Sequence, residues 1–168
     1  MKTKHMTLTA LFAALIFVGT YFFKIPISFA GGYTHLGDCL LILAVLFLGT
    51  RRGTIAAAIG MGLSDFIGGY MVWILPTIII KSLWALMVGL FAFKFLKGKP
   101  YGWYIGAIIG GLLQIIGYTI TKIPLYGLKP ALIELPILSL QTVIGCILAA
   151  VTYKIASKTL PNRIVARD

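Results

Sequence analysis

The sequence predicts an all-α membrane protein: one domain over residues 1–168, built of six transmembrane helices with both termini in the cytoplasm. Three observations carry that expectation. Hydrophobic residues make up 60% of the chain and charged ones only 11%, far too apolar a balance for a soluble domain. The apolar residues gather into six runs long enough, or nearly so, to cross a hydrocarbon core of ~30 Å at ~1.5 Å per helical residue. The remaining charge is sorted by topology rather than spread over a surface.

The runs are Met6 to Phe23, Leu36 to Gly49, Thr54 to Tyr70, Val72 to Phe95, Trp103 to Thr121 and Leu132 to Ile155. The first has no small-residue cleavage site and is long enough to remain as a span, so no cleaved signal peptide is expected. The second is about 14 residues, ~21 Å as helix. It either extends outward through Tyr33 or sits in a locally thinned region. The third and fourth are divided at "GGYMVWILP", where Gly68, Gly69 and Pro76 are expected to interrupt helical geometry. Gly60, Ser64 and Gly68 recur every four residues in the third run, as Gly102, Gly106 and Gly110 do in the fifth. Such stripes let helices approach closely, and internal packing is the expectation for both. Cys39 and Cys146 fall inside spans and read as buried small hydrophobes rather than a disulfide or a metal pair.

The formal net charge is +11. Lys2 and Lys4 precede the first span, Arg51 and Arg52 join the second to the third, and Lys94, Lys97 and Lys99 join the fourth to the fifth. Lys154, Lys158, Arg163 and Arg167 follow the sixth. Eleven of the 15 basic residues thus fall on one side. Lys24, Lys122 and Lys129 fall on the other, and Lys81 lies within a span. The basic side is expected to face the cytoplasm and its anionic membrane leaflet. No nucleic-acid partner is needed to explain the charge.

The intramembrane polar residues gather toward the outer half. Asp38 opens the second span, Asp65 lies a turn or more below the outer end of the third, and Glu134 begins the sixth. Lys81 is eight residues past Trp73, so ~12 Å down. Gln114 lies eight below Lys122 at a similar depth, with Tyr118 one turn above it on the same face. Gln141 shares a face with Glu134, seven residues away. Ionisable groups cost a few kcal/mol or more in hydrocarbon and usually face a polar interior. The convergence of Lys81, Asp38, Glu134, Gln114, Gln141, Tyr118, Tyr70 and Trp73 predicts a small-molecule cavity open outward and closed inward. Plainer readings stand beside it: Asp65 pairing with Lys81, Asp38 capping its helix, and Tyr70 and Trp73 in an aromatic belt.

The chain has no P-loop, HExxH, GxSxG or CxxC pattern. Its two histidines, His5 and His35, fall on opposite sides of the membrane, which excludes a multi-histidine metal site. The halves show no convincing internal repeat of the kind alternating-access carriers use. No enzyme, cofactor or metal is expected. A stand-alone facilitator would need a polar path through the inner half, and a membrane enzyme would need acids or histidines at the cytoplasmic interface. Neither is in the sequence.

The residues resemble a known family. A small, basic six-span chain whose first helix carries Ala10 and Ala14 resembles the substrate-binding S component of an energy-coupling factor (ECF) vitamin transporter. "GGYTHLGD" is similar to the first outer loop of the riboflavin-type S-component family, and "SDFIGGY", "PTIIIKSL" and "QTVIG" are similar to later spans. The resemblance covers nearly the whole chain. It implies binding of a water-soluble vitamin or precursor at the outer face. It also implies partners: a transmembrane T component, which Ala10 and Ala14 would touch, and two cytoplasmic ATPases. The S component is expected to topple within the membrane during transport. Among relatives, hydroxymethylpyrimidine and pyridoxine-type ligands are favoured over riboflavin. Such a ring would stack on Trp73, Tyr70 or Tyr118, with Lys81, Asp38, Glu134, Gln114 and Gln141 at its edge. Gly31 and Gly32 would let the first loop fold over the mouth, turning Tyr33 and His35 toward the ligand.

Overall fold

The structure, a computed structural model of the chain, describes residues 2–27 and 32–159. Gly31 of the expected lid and the tail residues Arg163 and Arg167 lie outside the described residues, as does the side chain of Tyr33. Six helices follow in order: α1 (Lys2–Tyr21), α2 (Gly37–Leu48), α3 (Thr50–Ile67), α4 (Ile74–Leu90), α5 (Gly102–Tyr126) and α6 (Leu128–Thr159). A short antiparallel ribbon, β1 (Ile25–Ile27) with β2 (Gly32–Thr34), joins α1 to α2. It pairs Ile25 with Thr34 and Ile27 with Gly32.

Among the described residues, four helical segments are long and apolar enough to cross a membrane unaided: Thr3–Tyr21, Met71–Phe95, Gly102–Tyr126 and Leu128–Lys158. The α2 helix differs in kind. Its 12 residues span ~18 Å, and ten of them are buried. A helix apolar all round belongs inside a bundle. Leu41, Ile42, Ala44 and Val45 form the centre of the core, packed by α1, α3 and α6. The helix does not extend outward through Tyr33, because residues 32–34 pair as a strand.

The turns are set by glycine. Gly49 ends α2 at φ 84° and Gly127 ends α5 at φ 91°, in the region where a side chain would clash with its own backbone. Between α3 and α4 the break falls at Gly68 to Tyr70, with Gly69 at φ 79°, followed by one 3₁₀ turn at Met71–Trp73. The expected interruption at Pro76 is corrected. Pro76 stands in the first turn of α4, where its missing N–H removes no helical hydrogen bond.

The glycine stripes pack internally. A Cβ on Gly106 would lie 2.5 Å from the Met87 carbonyl oxygen, and one on Gly60 would lie 2.5 Å from that of Ala13. These contacts bring α5 onto α4 and α3 onto α1 at backbone range. Trp84 of α4, fully buried, fills the groove beside Gly110 and donates its indole N–H to the Ala107 carbonyl at 3.0 Å. The side chains turned away from this core are large and apolar, among them Leu15, Ile59, Ile108 and Ile147.

Candidate solute-binding site

At the end of the bundle opposite Arg51 and Arg52, the first turn of α2 carries a polar cluster into the core. Asp38 is fully buried. Its carboxylate accepts from the Lys81 ammonium, from Gln141 Nε2 at 2.7 Å and, more weakly, from Gln114 Nε2 at 3.4 Å. Lys81 also donates to Gln114 Oε1. Gln114 Nε2 donates in turn to Thr142 Oγ1 at 2.8 Å. Four helices, α2, α4, α5 and α6, are thereby joined through one carboxylate and one ammonium.

Local sequence explains the convergence. Gln141 and Gly145 share a face of α6, one turn apart. Gln141 reaches the Asp38 carboxylate, and Gly145 makes room for it, since a Cβ there would lie 2.8 Å from Asp38 Cβ. Asp38 also sits in the first turn of α2, where the helix dipole favours an acid. Its side chain turns inward to other helices rather than capping its own. Lys81 hydrogen-bonds Asp38 and Gln114 and not Asp65, so the simple Asp65–Lys81 pair is not what forms. The ammonium further lies 5.1 Å from the ring of Trp84 and 5.6 Å from that of Tyr118.

Above this cluster lies a cavity of about 40 Å³, room for ~3 waters. His35, Trp73, Tyr118, Glu134 and Gln141 line it, all residues singled out in the sequence. Asp65, Thr77, Lys122 and Leu138 complete the wall. Trp73 meets Tyr118 at a centroid distance of 5.9 Å and lies nearly parallel to Tyr126, 6.1 Å away. The Tyr118 hydroxyl bonds Thr77 Oγ1 at 3.1 Å. Lys122 pairs with Glu134 across α5 and α6 and lies 5.3 Å from the Trp73 ring.

Asp38, Lys81 and Gln114 do not line the cavity; they lie behind it and hold Gln141 in place. Tyr70 is also outside the lining. Its ring faces the Lys24 ammonium at 4.7 Å, and that ammonium donates to the Ser64 carbonyl at 3.3 Å. Lys24 thus ties the segment before the ribbon to the end of α3. Sequence reasoning passed over Thr77, Thr142 and Lys122 as site residues. Thr77 and Lys122 each stand four residues outward from a residue it did choose, Lys81 and Tyr118, and that spacing was the available signal.

His35 is buried just before α2 and its pKa is lowered to about 4, chiefly by burial; the Asp38 carboxylate opposes the shift, and the Lys81 and Lys24 ammonium groups add to it. Nδ1 accepts the Gly37 N–H at 3.1 Å. A ring nitrogen that accepts carries no proton, so the 4.0 Å approach of Nδ1 to Asp38 is no salt bridge. The ring is neutral at physiological pH with its proton on Nε2. Gly37 is required here, because a Cβ would lie 2.0 Å from Thr20 Oγ1.

A helical membrane bundle with an aromatic-walled polar cavity at one end is the architecture of a solute-binding membrane protein. The comparisons make the class specific. Residues 1–158 match the family model described as ECF-type riboflavin transporter, S component, and the chain belongs to that family. It is therefore a substrate-binding subunit for vitamin or vitamin-precursor uptake, and not an enzyme. A solved S component of a bacterial ECF transporter superimposes with TM-score 0.79 at 18% identity, covering 96% of this chain and 100% of that one. The thiamine precursor transporter HmpT of Lactococcus lactis subsp. cremoris (strain MG1363) is 27% identical over 157 residues, 93% of this chain and 89% of its own length. An uncharacterized protein in the gap 3′ region of Pyrococcus woesei is 34% identical over 133 residues, covering 78% and 86%.

Proposed function

We propose that this S component binds a small heteroaromatic vitamin or precursor, of the hydroxymethylpyrimidine or pyridoxine kind, in the cavity beneath Trp73. The observation that carries the reading is the pairing of Trp73 and Tyr118 over a floor of Gln141 and His35. Aromatic faces take a flat ring, and a few fixed donors and acceptors read its edge. His35 offers Nε2–H and Gln141 its amide. The cavity is smaller than any such ring, so binding displaces Lys122 and Glu134, which pair across its wall. The likeness to a thiamine precursor transporter supports the pyrimidine. Riboflavin, named in the family's description, is the second reading and demands a far larger opening.

The same reading has six membrane crossings, both termini in the cytoplasm and the cavity facing outward. The partners are a T component and two ATPases, with Ala10 and Ala14 on the face that meets the T component. Both alanines are exposed on α1. Intrinsic tryptophan fluorescence of the detergent-solubilised protein tests the substrate. It is titrated with hydroxymethylpyrimidine, pyridoxine, pyridoxal, thiamine and riboflavin. Saturable quenching by one small ring at nanomolar to low micromolar concentration, weakened by Gln141→Ala, is the expected result. Quenching by riboflavin alone, or by none in folded protein, removes the small-ring reading.

A further inference from the structure

A second and much larger concavity lies on the face away from the cavity, between α1 and α3, with a volume of about 1170 Å³. Its walls are apolar, formed by Ala10, Ala14 and Phe17 of α1 against Ile55, Ile59 and Leu63 of α3. One end is basic: Arg51, Arg52 and His5 line it. Arg52 Nη1 donates to His5 Nδ1 at 3.1 Å, which fixes the guanidinium at the head of the groove. The first turn of α3 adds its helix dipole at the same place. Among the described residues no acid opposes these cations, because Asp38, Asp65 and Glu134 all belong to the opposite end.

From Arg52 to Leu63 is eleven helical residues, ~16 Å. One leaflet of the hydrocarbon core is ~15 Å deep. The groove therefore has a cationic head, an apolar track, and the length of one leaflet. We propose that it holds one anionic glycerophospholipid, with the phosphate on Arg51 and Arg52 and an acyl chain along Ala14 and Ile59. That the lipid comes from the cytoplasmic leaflet rests on the orientation proposed above; the binding itself does not. Ala10 and Ala14 lie on the same face, so bound lipid and a T component compete for it, and the lipid occupies the solitary S component.

Native mass spectrometry of the detergent-purified full chain tests this, with phosphatidylglycerol, phosphatidylcholine and inorganic phosphate as probes. At ~1 kcal/mol per basic side chain, two arginines give phosphatidylglycerol a preference of about ten- to thirtyfold over phosphatidylcholine. One phosphatidylglycerol per chain, a preference abolished in R51Q/R52Q, and weaker retention of both lipids in Ala14→Trp are expected. Equal binding of the two lipids, a preference that survives R51Q/R52Q, phosphate binding as tight as the lipid, or a second copy of the chain on this face overturns it. The vitamin titration run on R51Q/R52Q is expected to be unchanged, which also shows the variant folded and separates this site from the cavity.

Discussion

Lys81 and Asp38 are fully buried, and each is the other's only counter-charge within hydrogen-bond reach among the described residues. Removing one partner from such a pair strands a charge and costs ~3–5 kcal/mol, whereas replacing both with uncharged groups costs much less. Lys81→Met and Asp38→Asn are each expected to lose stability on that scale. The double variant is expected to regain ~2 kcal/mol or more of the sum of the two losses. Thermal unfolding in detergent, followed by tryptophan fluorescence, measures the cycle, and strictly additive losses show that the pair is not coupled. Sequence spacing put Lys81 and Gln114 at one depth, because helical rise alone sets depth. It left the identity of the hydrogen bonds open, since the rotation of α2 and α6 about their axes decides them. The seven-residue spacing of Glu134 and Gln141 did bring Gln141 to the cluster, but it gave no sign that Thr142, one residue on, would accept from Gln114.

Helices α4 and α5 touch at backbone distance at Gly106, while Gly110 receives the Trp84 ring and Gly102 the Phe91 carbonyl just past α4. At Gly106 the nearest atoms are the Met87 carbonyl oxygen at 2.5 Å and Val88 Cα at 2.8 Å, neither of which can turn aside. At Gly117 the nearest is Ile80 Cγ1 at 3.0 Å, the side chain of a residue that can shift. Gly106→Ala is therefore expected to push the two helices apart and cost ~1–3 kcal/mol, and Gly117→Ala distinctly less. Melting temperatures of the two variants in the same detergent check the order; equal losses contradict it. The pushed helices carry Lys81 and Gln114, so vitamin quenching is expected to weaken in Gly106→Ala alone. All six helices were legible as apolar runs, and the two stripes as packing surfaces. The shortness of α2 was legible too, its run matching the helix within one residue at each end; its setting was not, because the twelve residues answer to a protein interior rather than to a bilayer, and an apolar run reads the same in both.

The crossing number of the whole molecule turns on α2 and α3, the two helices not counted among those able to cross a membrane unaided. If they formed a hairpin re-entering from outside, their turn at Arg51 would end within the bundle. The contact of Arg52 with His5 speaks against that, because it brings the turn level with the N-terminal end of α1. Together with the sorting of basic residues to that end, it supports the proposed topology of six crossings, with Lys4, Arg51 and Lys99 on the cytoplasmic side and Lys129 outside. Single cysteines test each position in a background lacking Cys39 and Cys146. Lys129→Cys is expected to react with a membrane-impermeant maleimide on intact cells. Lys4→Cys, Arg51→Cys and Lys99→Cys are expected to react only after permeabilisation. Labelling of Arg51→Cys from outside would leave four crossings, and a full reversal of the pattern would turn the cavity toward the cytoplasm. Lys129 lies just past Gly127, in the first turn of the helix that carries Glu134 of the cavity wall, so its accessibility reports on which side the solute arrives from.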